Sequence, residues 1–502
     1  MSYDAVLIIP YLLFLMNLPA TRQATAGTPL HIRLATTIGS YASKVGAPVQ
    51  AVVIAPVVVD GETVLPAGSG VSGKVKMVAR VGLGIRHESA AIELAFDRLT
   101  LPAQNSLPFS ARVAEVDNAL ERVSRDGRIR RLRATDSGGF RVSGYIRMLM
   151  LRCELHAAIA VWLVKSAVIK VAEPEIYFPA GTELTLTLTA PLRPDASLPG
   201  APAGDGLSDE DRGNLQRVVA AMPDRTYAAD THRASDLTNV LLIGSRDQVT
   251  AAFAAAGWSQ ALPASFRRRL QWLRAIGERH GFSSAPMSPL LLDGAEADMS
   301  WEKGLNDVSK RHHIRLWKQP GDWKGRELWI GAATRDVDLA YLRPGQPFTH
   351  TIAANVDQER EKVAFDLAFT SCASVLDWMD RKSVPDLTEN ATGDSMTTDR
   401  RLVAVQLNDC RTPRLSTETV DAEPVPVHGG KWENLARRQI LSARSELLRD
   451  NWYWRGFQTG LWIVQTLRTH WRASPGLGSF LGSFRPARLR QPAVAMNTSA
   501  YR

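Results

Sequence analysis

Two adjacent histidines in the stretch 311–317, RHHIRLW, are the residues best suited to chemistry in this chain. In an extended strand successive side chains point to opposite faces, so His312 falls with Ile314 and Leu316 on a core side. His313 falls with Arg311, Arg315 and Trp317 on a more polar side. The next strand-like stretch puts Thr334, Asp336 and Asp338 on one side, and His350 follows in a short strand of its own. If these strands are neighbours, His313, Arg315, Asp336 and His350 converge. Arg315 would fork onto an anionic group. Asp336 would orient one imidazole, and the other would exchange a proton near neutral pH. The same residues can instead form a hydrogen-bonded network that only fixes strand register. The HHxR spacing matches no standard zinc motif, and neither a metal nor a cofactor is expected.

Other motifs carry less. Gly68 to Lys74 fits GxxxxGK, but Val75 stands where a phosphate loop needs a magnesium-binding hydroxyl, and a strand follows instead of a helix. No GxSxG nucleophile elbow occurs. Cys153, Cys372 and Cys410 have no CxxC spacing, which excludes a cysteine metal cluster. Cys372 and Cys410 can pair in an oxidising compartment, but buried free thiols are the expectation. Trp301, Trp317, Trp323 and Trp329 can line a glycan or lipid groove, but a core role is expected.

The elements that would position these groups follow from periodicity. A chain of 502 residues is too long for one ordinary core. The fold class expected is α+β and multidomain: an N-terminal antiparallel β-barrel or sandwich, then a mixed α/β domain, then a helical basic tail. Residues 5–15, AVLIIPYLLFL, have the length of a signal-peptide apolar region, with a small-residue cleavage site at 24–26. A signal peptide over 1–26 therefore predicts export to the periplasm or the membrane-associated cell envelope. Residues 27–192 are β-rich: Leu30, Ile32 and Leu34 alternate with polar residues, as do Leu184, Leu186 and Leu188. Two hydrophobe-PAG-hydroxyl phrases, ending at Ser69 and Thr182, each make a tight turn into a strand. Residues 122–144 read as a long basic loop and 149–170 as a helix. Residues 193–213, rich in Pro, Gly and Asp, read as a linker. The second domain spans 214–425. It opens on a strand at 239–243, and Ser245 caps a helix over 246–256 with Val249, Ala252, Phe253 and Ala256 on one face.

The tail has its own character. From Lys431 onward there are twelve Lys or Arg against three Asp or Glu, a surplus equal to the whole chain's net charge of +9. The remainder is neutral, which argues against nucleic acid as a partner. Trp432, Trp452, Tyr453, Trp454, Phe457, Trp462 and Trp471 are interleaved with arginines. Arginine is drawn to anionic lipid, and Trp and Tyr to the interface. Residues 431–472 are thus expected to form a helix on a membrane surface, with 473–502 disordered. A helix packed on the second domain is the competing reading.

Several phrases resemble the LssY C-terminal domain family over about 236–400: NVLLIGS at 239–245, AAGW at 255–258, RHHIRLW, LWIGAATRD at 328–336, THTI at 349–352, DQER at 357–360, and NATGD at 390–394 followed by Thr398-Asp399. This chain departs from the family at Arg335, where a polar residue or His is usual, and at Arg400, where Gly is usual. The resemblance implies little chemistry, since the domain's role in its relatives is uncharacterised. The first domain more loosely resembles the periplasmic barrel of VirB10/TrbI-type secretion proteins, whose strands are entered through similar PAG turns. The function expected is an envelope-associated binding or scaffold protein, with an envelope protein as partner. The alternative is a hydrolase or transferase acting on a phosphate- or lipid-containing envelope substrate.

Overall fold

The computed structural model describes residues 23–131, 175–192, 207–261, 287–410 and scattered positions from 430 to 464, except 60–61, 84–88, 102–105, 118–120, 305–309 and 341–348. The apolar run 5–15, the helix expected at 149–170, most of the linker and most of the tail lie outside the described residues.

Strands β1 (Pro29–Leu34), β2 (Pro48–Val53), β3 (Gly70–Ala79), β4 (Ala91–Thr100), β5 (Ser106–Val116) and β6 (Glu183–Leu188) pair antiparallel in the order β3-β2-β1-β6-β5-β4. Pairing of β3 with β4 closes the ring into a six-stranded barrel. The leucines and isoleucine whose alternation marked β1 and β6 are all buried. Both PAG phrases are tight turns. Gly68 and Gly181 have φ of 88° and 94°, and Ser69 and Thr182 each donate a backbone N–H to the carbonyl of the turn's proline. Residues 122–130, read from sequence as loop, form a short hairpin (Arg122–Val123 with Arg128–Arg130) that extends the sheet beside β4. The GxxxxGK phrase is the second half of a PAG turn and the start of β3. A Cβ at Gly73 would meet the Ala95 carbonyl oxygen at 2.1 Å, so glycine serves close strand approach at a bulge.

Ser208 caps α1 (Asp209–Ala220), so the last residues assigned to the linker are a helical turn with three acidic side chains at its start. The second domain's sheet runs from Ser259–Gln260 through β8 (Met299–Lys303), β9 (Arg311–Trp323), β10 (Arg326–Ala340), β7 (Val240–Ile243) and β13 (Arg401–Leu407) to β12 (Ala373–Asp380). Strand β11 (Thr349–Ile352) pairs with the far end of β10. All pairs are antiparallel except β7 with β13. Ser245 and Gln248 form a capping box for α2 (Arg246–Ala255), and Val249, Ala252, Phe253 and Ala256 are buried as periodicity requires.

This sheet is covered on both faces. On one, α2 and α3 (Val356–Phe369) pack with Trp301, Ile314, Leu316, Trp329 and Val405. On the other, α1 and a small sheet carrying Ala228, Leu290 and Leu292 pack with Trp317, Trp323, Ile330 and Ala404. The four tryptophans are core residues, divided between two faces. The free thiols expected at Cys372 and Cys410 are instead a disulfide, because the end of α3 and the end of β13 bring their Cα atoms to 4.5 Å. Among the described residues no helix is long and apolar enough to cross a membrane.

Candidate functional site

Because β9 pairs with β8 and β10 in continuous register, its alternation sorts the charged residues onto two faces. One face carries Glu302, Arg311, His313, Arg315, Thr334 and Asp336. Arg311 donates to Glu302 at 2.9 Å and to Asp336 at 3.1 Å, and His313 Nε2 lies 3.0 Å from the other Asp336 oxygen. Thr334 Oγ1 is 3.2 Å from His313 Nδ1, so both ring nitrogens have partners. Burial pushes the Glu302 carboxyl above its ordinary range, against the pull of Arg311 and His313.

The sequence therefore placed His313 and Asp336 together, and the structure joins them. Arg315 shares their face but turns elsewhere. Its guanidinium donates to the Ser288 carbonyl at 2.8 Å and stands 3.5 Å from Asp236. His350 sits at the backbone register of Leu339, beyond a bulge from Asp336, and its side chain lies outside the described residues. Arg311, His313, Arg315 and Asp336 are all buried, at 2%, 6%, 6% and 2% exposure. The polar face read from alternation is an interior face, and at its Arg315–Trp317 end the small sheet packs on it.

The opposite face holds the more heavily charged cluster, which sequence reasoning missed. His312, assigned to an apolar core, is held by two carboxylates: Nδ1 is 2.6 Å from Glu359 on α3, and Nε2 is 2.7 Å from Asp117 at the end of barrel strand β5. Burial alone would lower its pKa, but Asp117 and Glu359 outweigh burial and raise it to about 9. Arg335 reaches Asp117 at 3.0 Å and Glu115 at 2.6 Å, both from the barrel. Lys303 bridges Glu183 of β6 at 2.9 Å and Asp366 of α3 at 2.8 Å. Lys362 touches the same two carboxylates at 2.8 and 2.6 Å. Arg33 of β1 joins Glu183 at 2.8 Å. Burial would raise the Glu183 and Asp366 pKa values, yet the surrounding cations hold both below the ordinary range, Glu183 well below it. Among the described residues, five cations (Arg33, Lys303, His312, Arg335, Lys362) thus meet five carboxylates (Glu115, Asp117, Glu183, Glu359, Asp366).

This balanced cluster joins the barrel to the second domain. One signal for it was present in sequence: Glu359, Lys362 and Asp366 recur at helical spacing, a charged stripe on a helix that had to face something.

The phrases that order β7, β9, β10, α3 and β13 lie within one recognised stretch. Residues 219–402 match the family model of the LssY C-terminus. The barrel carboxylates Glu115, Asp117 and Glu183 lie outside that match, so the LssY-like domain is bound to its neighbour through residues of both. A structure of ComB10 from the Com Type IV secretion system of Helicobacter pylori is also similar, at 12% identity, covering 36% of this chain and 94% of that one. Its TM-score is 0.20, which carries no argument about function. No curated protein matches the chain. Within the LssY-like domain, Arg335 and Arg400 have distinct local settings. Arg335 supplies one of the cations that reach the barrel. Arg400 has φ of 62°, the left-handed region that favours glycine.

Proposed function

We propose that this chain is an exported, envelope-associated scaffold or binding protein, in which the barrel and the LssY-like domain act as one body and the basic aromatic tail holds it to a membrane surface. The five-by-five ionic cluster carries the scaffold reading: Glu115 at its edge is exposed, but Glu183, Lys303, His312, Glu359 and Asp366 form a buried centre. Cutting one partner from such a cluster typically costs about 3–5 kcal/mol, so the two domains are strongly bound to one geometry. Export is supported by the signal-like run at 5–15 and by the Cys372–Cys410 disulfide, since structural disulfides persist in oxidising compartments.

A hydrolase or transferase built on His313 would need that imidazole to reach substrate. It is instead 6% exposed, with both ring nitrogens held by Asp336 and Thr334. His313→Ala is therefore expected to act through folding, costing about 1–3 kcal/mol. Thermal melting and rescue of a deletion strain, measured together for His313→Ala and His350→Ala, test this. Lost rescue with unchanged melting would return the site to catalysis or ligand binding.

N-terminal sequencing of the protein from envelope fractions is expected to give Gly27. Ala24 exchanges two backbone hydrogen bonds with Leu192, a modest loss on cleavage. Intact Met1 in soluble cytoplasmic protein would overturn export.

A further inference from the structure

We propose that one end of the barrel, at the root of the tail, is itself a lipid-binding rim; this rests on the reading of the tail as a membrane anchor. Trp432, Glu433, Ala436, Arg437 and Ile440 belong to the same compact unit as the barrel. Arg437 donates to the Val81 carbonyl at 2.9 Å and pairs with the buried Glu175 carboxylate. Glu175 also accepts from the Val81 N–H and from Ser40, so it ties β1–β2 connection, β3 end and tail root together. The Tyr41 hydroxyl donates to Glu433 at 3.1 Å, and Arg80 and Arg437 both stand over its ring, at 5.0 and 5.4 Å.

Exposed apolar side chains gather at this junction. Among the described residues, the barrel exposes four large ones, Val45, Val58, Leu83 and Tyr177. Three of them are here. Val45 is in the turn whose Gly46 N–H bonds Val75, Tyr177 pairs with Gly39, and Leu83 lies two residues past Val81. Trp432, 83% exposed, adds an indole from the tail root. Grouped exposed apolar residues mark an interaction surface. The chemistry favours lipid as the occupant. Lys44 and Arg80 are exposed beside the apolar residues, with Glu433 the acidic counterpart on the tail root. Past Ile440 the chain continues with nine arginines against Glu446 and Asp450, interleaved with Trp452, Tyr453, Trp454, Phe457, Trp462 and Trp471. Exposed Trp and Tyr suit the headgroup interface, and basic side chains suit anionic headgroups.

Flotation of the full chain with phosphatidylethanolamine–phosphatidylglycerol vesicles tests this. Val45→Asp combined with Leu83→Asp should weaken binding about tenfold, with melting unchanged because both side chains are exposed. Lys44→Glu should weaken binding to these vesicles and leave binding to neutral phosphatidylcholine vesicles unaltered. A Trp452→Ala, Tyr453→Ala, Trp454→Ala chain reads the tail separately. Rim variants that float like the parent, with only the tail variant impaired, would overturn the rim and leave the tail anchor standing. The reverse pattern would sink the tail anchor and keep the rim.

Discussion

At the residue scale, Arg400 shows what a left-handed backbone position costs a residue with a side chain. A side chain at φ of 62° pays a steric penalty that glycine does not, on the order of 1 kcal/mol. Arg400 sits between β12 and β13, where its carbonyl accepts from the Arg381 N–H at 2.8 Å, so the local turn is needed whatever the side chain. Arg400→Gly is therefore expected to raise the melting temperature by about 2 °C or more, with the turn unchanged. A fall in melting temperature would mean that the exposed arginine makes a contribution larger than its strain.

At the element scale, α3 matters most, because its stripe of Glu359, Lys362 and Asp366, the first and last of them buried, pairs with charged groups of both domains. The electrostatics make its stability depend on pH in two directions. His312 is held at about 9 in the folded protein against an ordinary 6.5, so its contribution is complete below about 6.5 and lost as pH rises through about 9. The full difference amounts to about 3 kcal/mol. Glu183 and Asp366 are depressed, so their contributions are present above about 4 and lost on acidification. Urea melts at several values between about pH 6 and 9.5 should show stability falling on the alkaline side. His312→Gln should be less stable at pH 6 and lose that slope. An identical slope in the variant would remove His312 from the account. Much of this element pattern was legible beforehand. The period of two in β1, β6 and β9 sorted faces correctly, and Ser245 with its apolar stripe set α2. The strands could not announce what covered them. Alternation says which residues share a face, but both faces of β9 are interior, one under α2 and α3 and the other under a sheet made from residues 225–228 and 290–292. His312 was misread for the same reason: its partners, Asp117 and Glu359, are 195 and 47 residues away in sequence. Nothing in local spacing ties them to it.

At the scale of the whole molecule, the recognised domain and the barrel divide the charged cluster between them. The barrel supplies Arg33, Glu115, Asp117 and Glu183, and the LssY-like domain supplies the remaining six groups. Such a partition predicts mechanical coupling that a loosely tethered pair of domains would lack. Glu183 is the sharpest probe, since it stands on β6, outside residues 219–402, and touches Arg33, Lys303 and Lys362 together. Glu183→Gln removes the charge that Arg33, Lys303 and Lys362 share and leaves Asp366 as the carboxylate common to them, a loss on the order of 3 kcal/mol. The cost should not stay in the barrel. Hydrogen exchange is expected to accelerate in α3 and in β8 of the LssY-like domain, while the capping-box end of α2 keeps its protection. Acceleration confined to β1 and β6 would show that the ionic contact holds no stability in common, and the two domains would then have to be regarded as independent bodies.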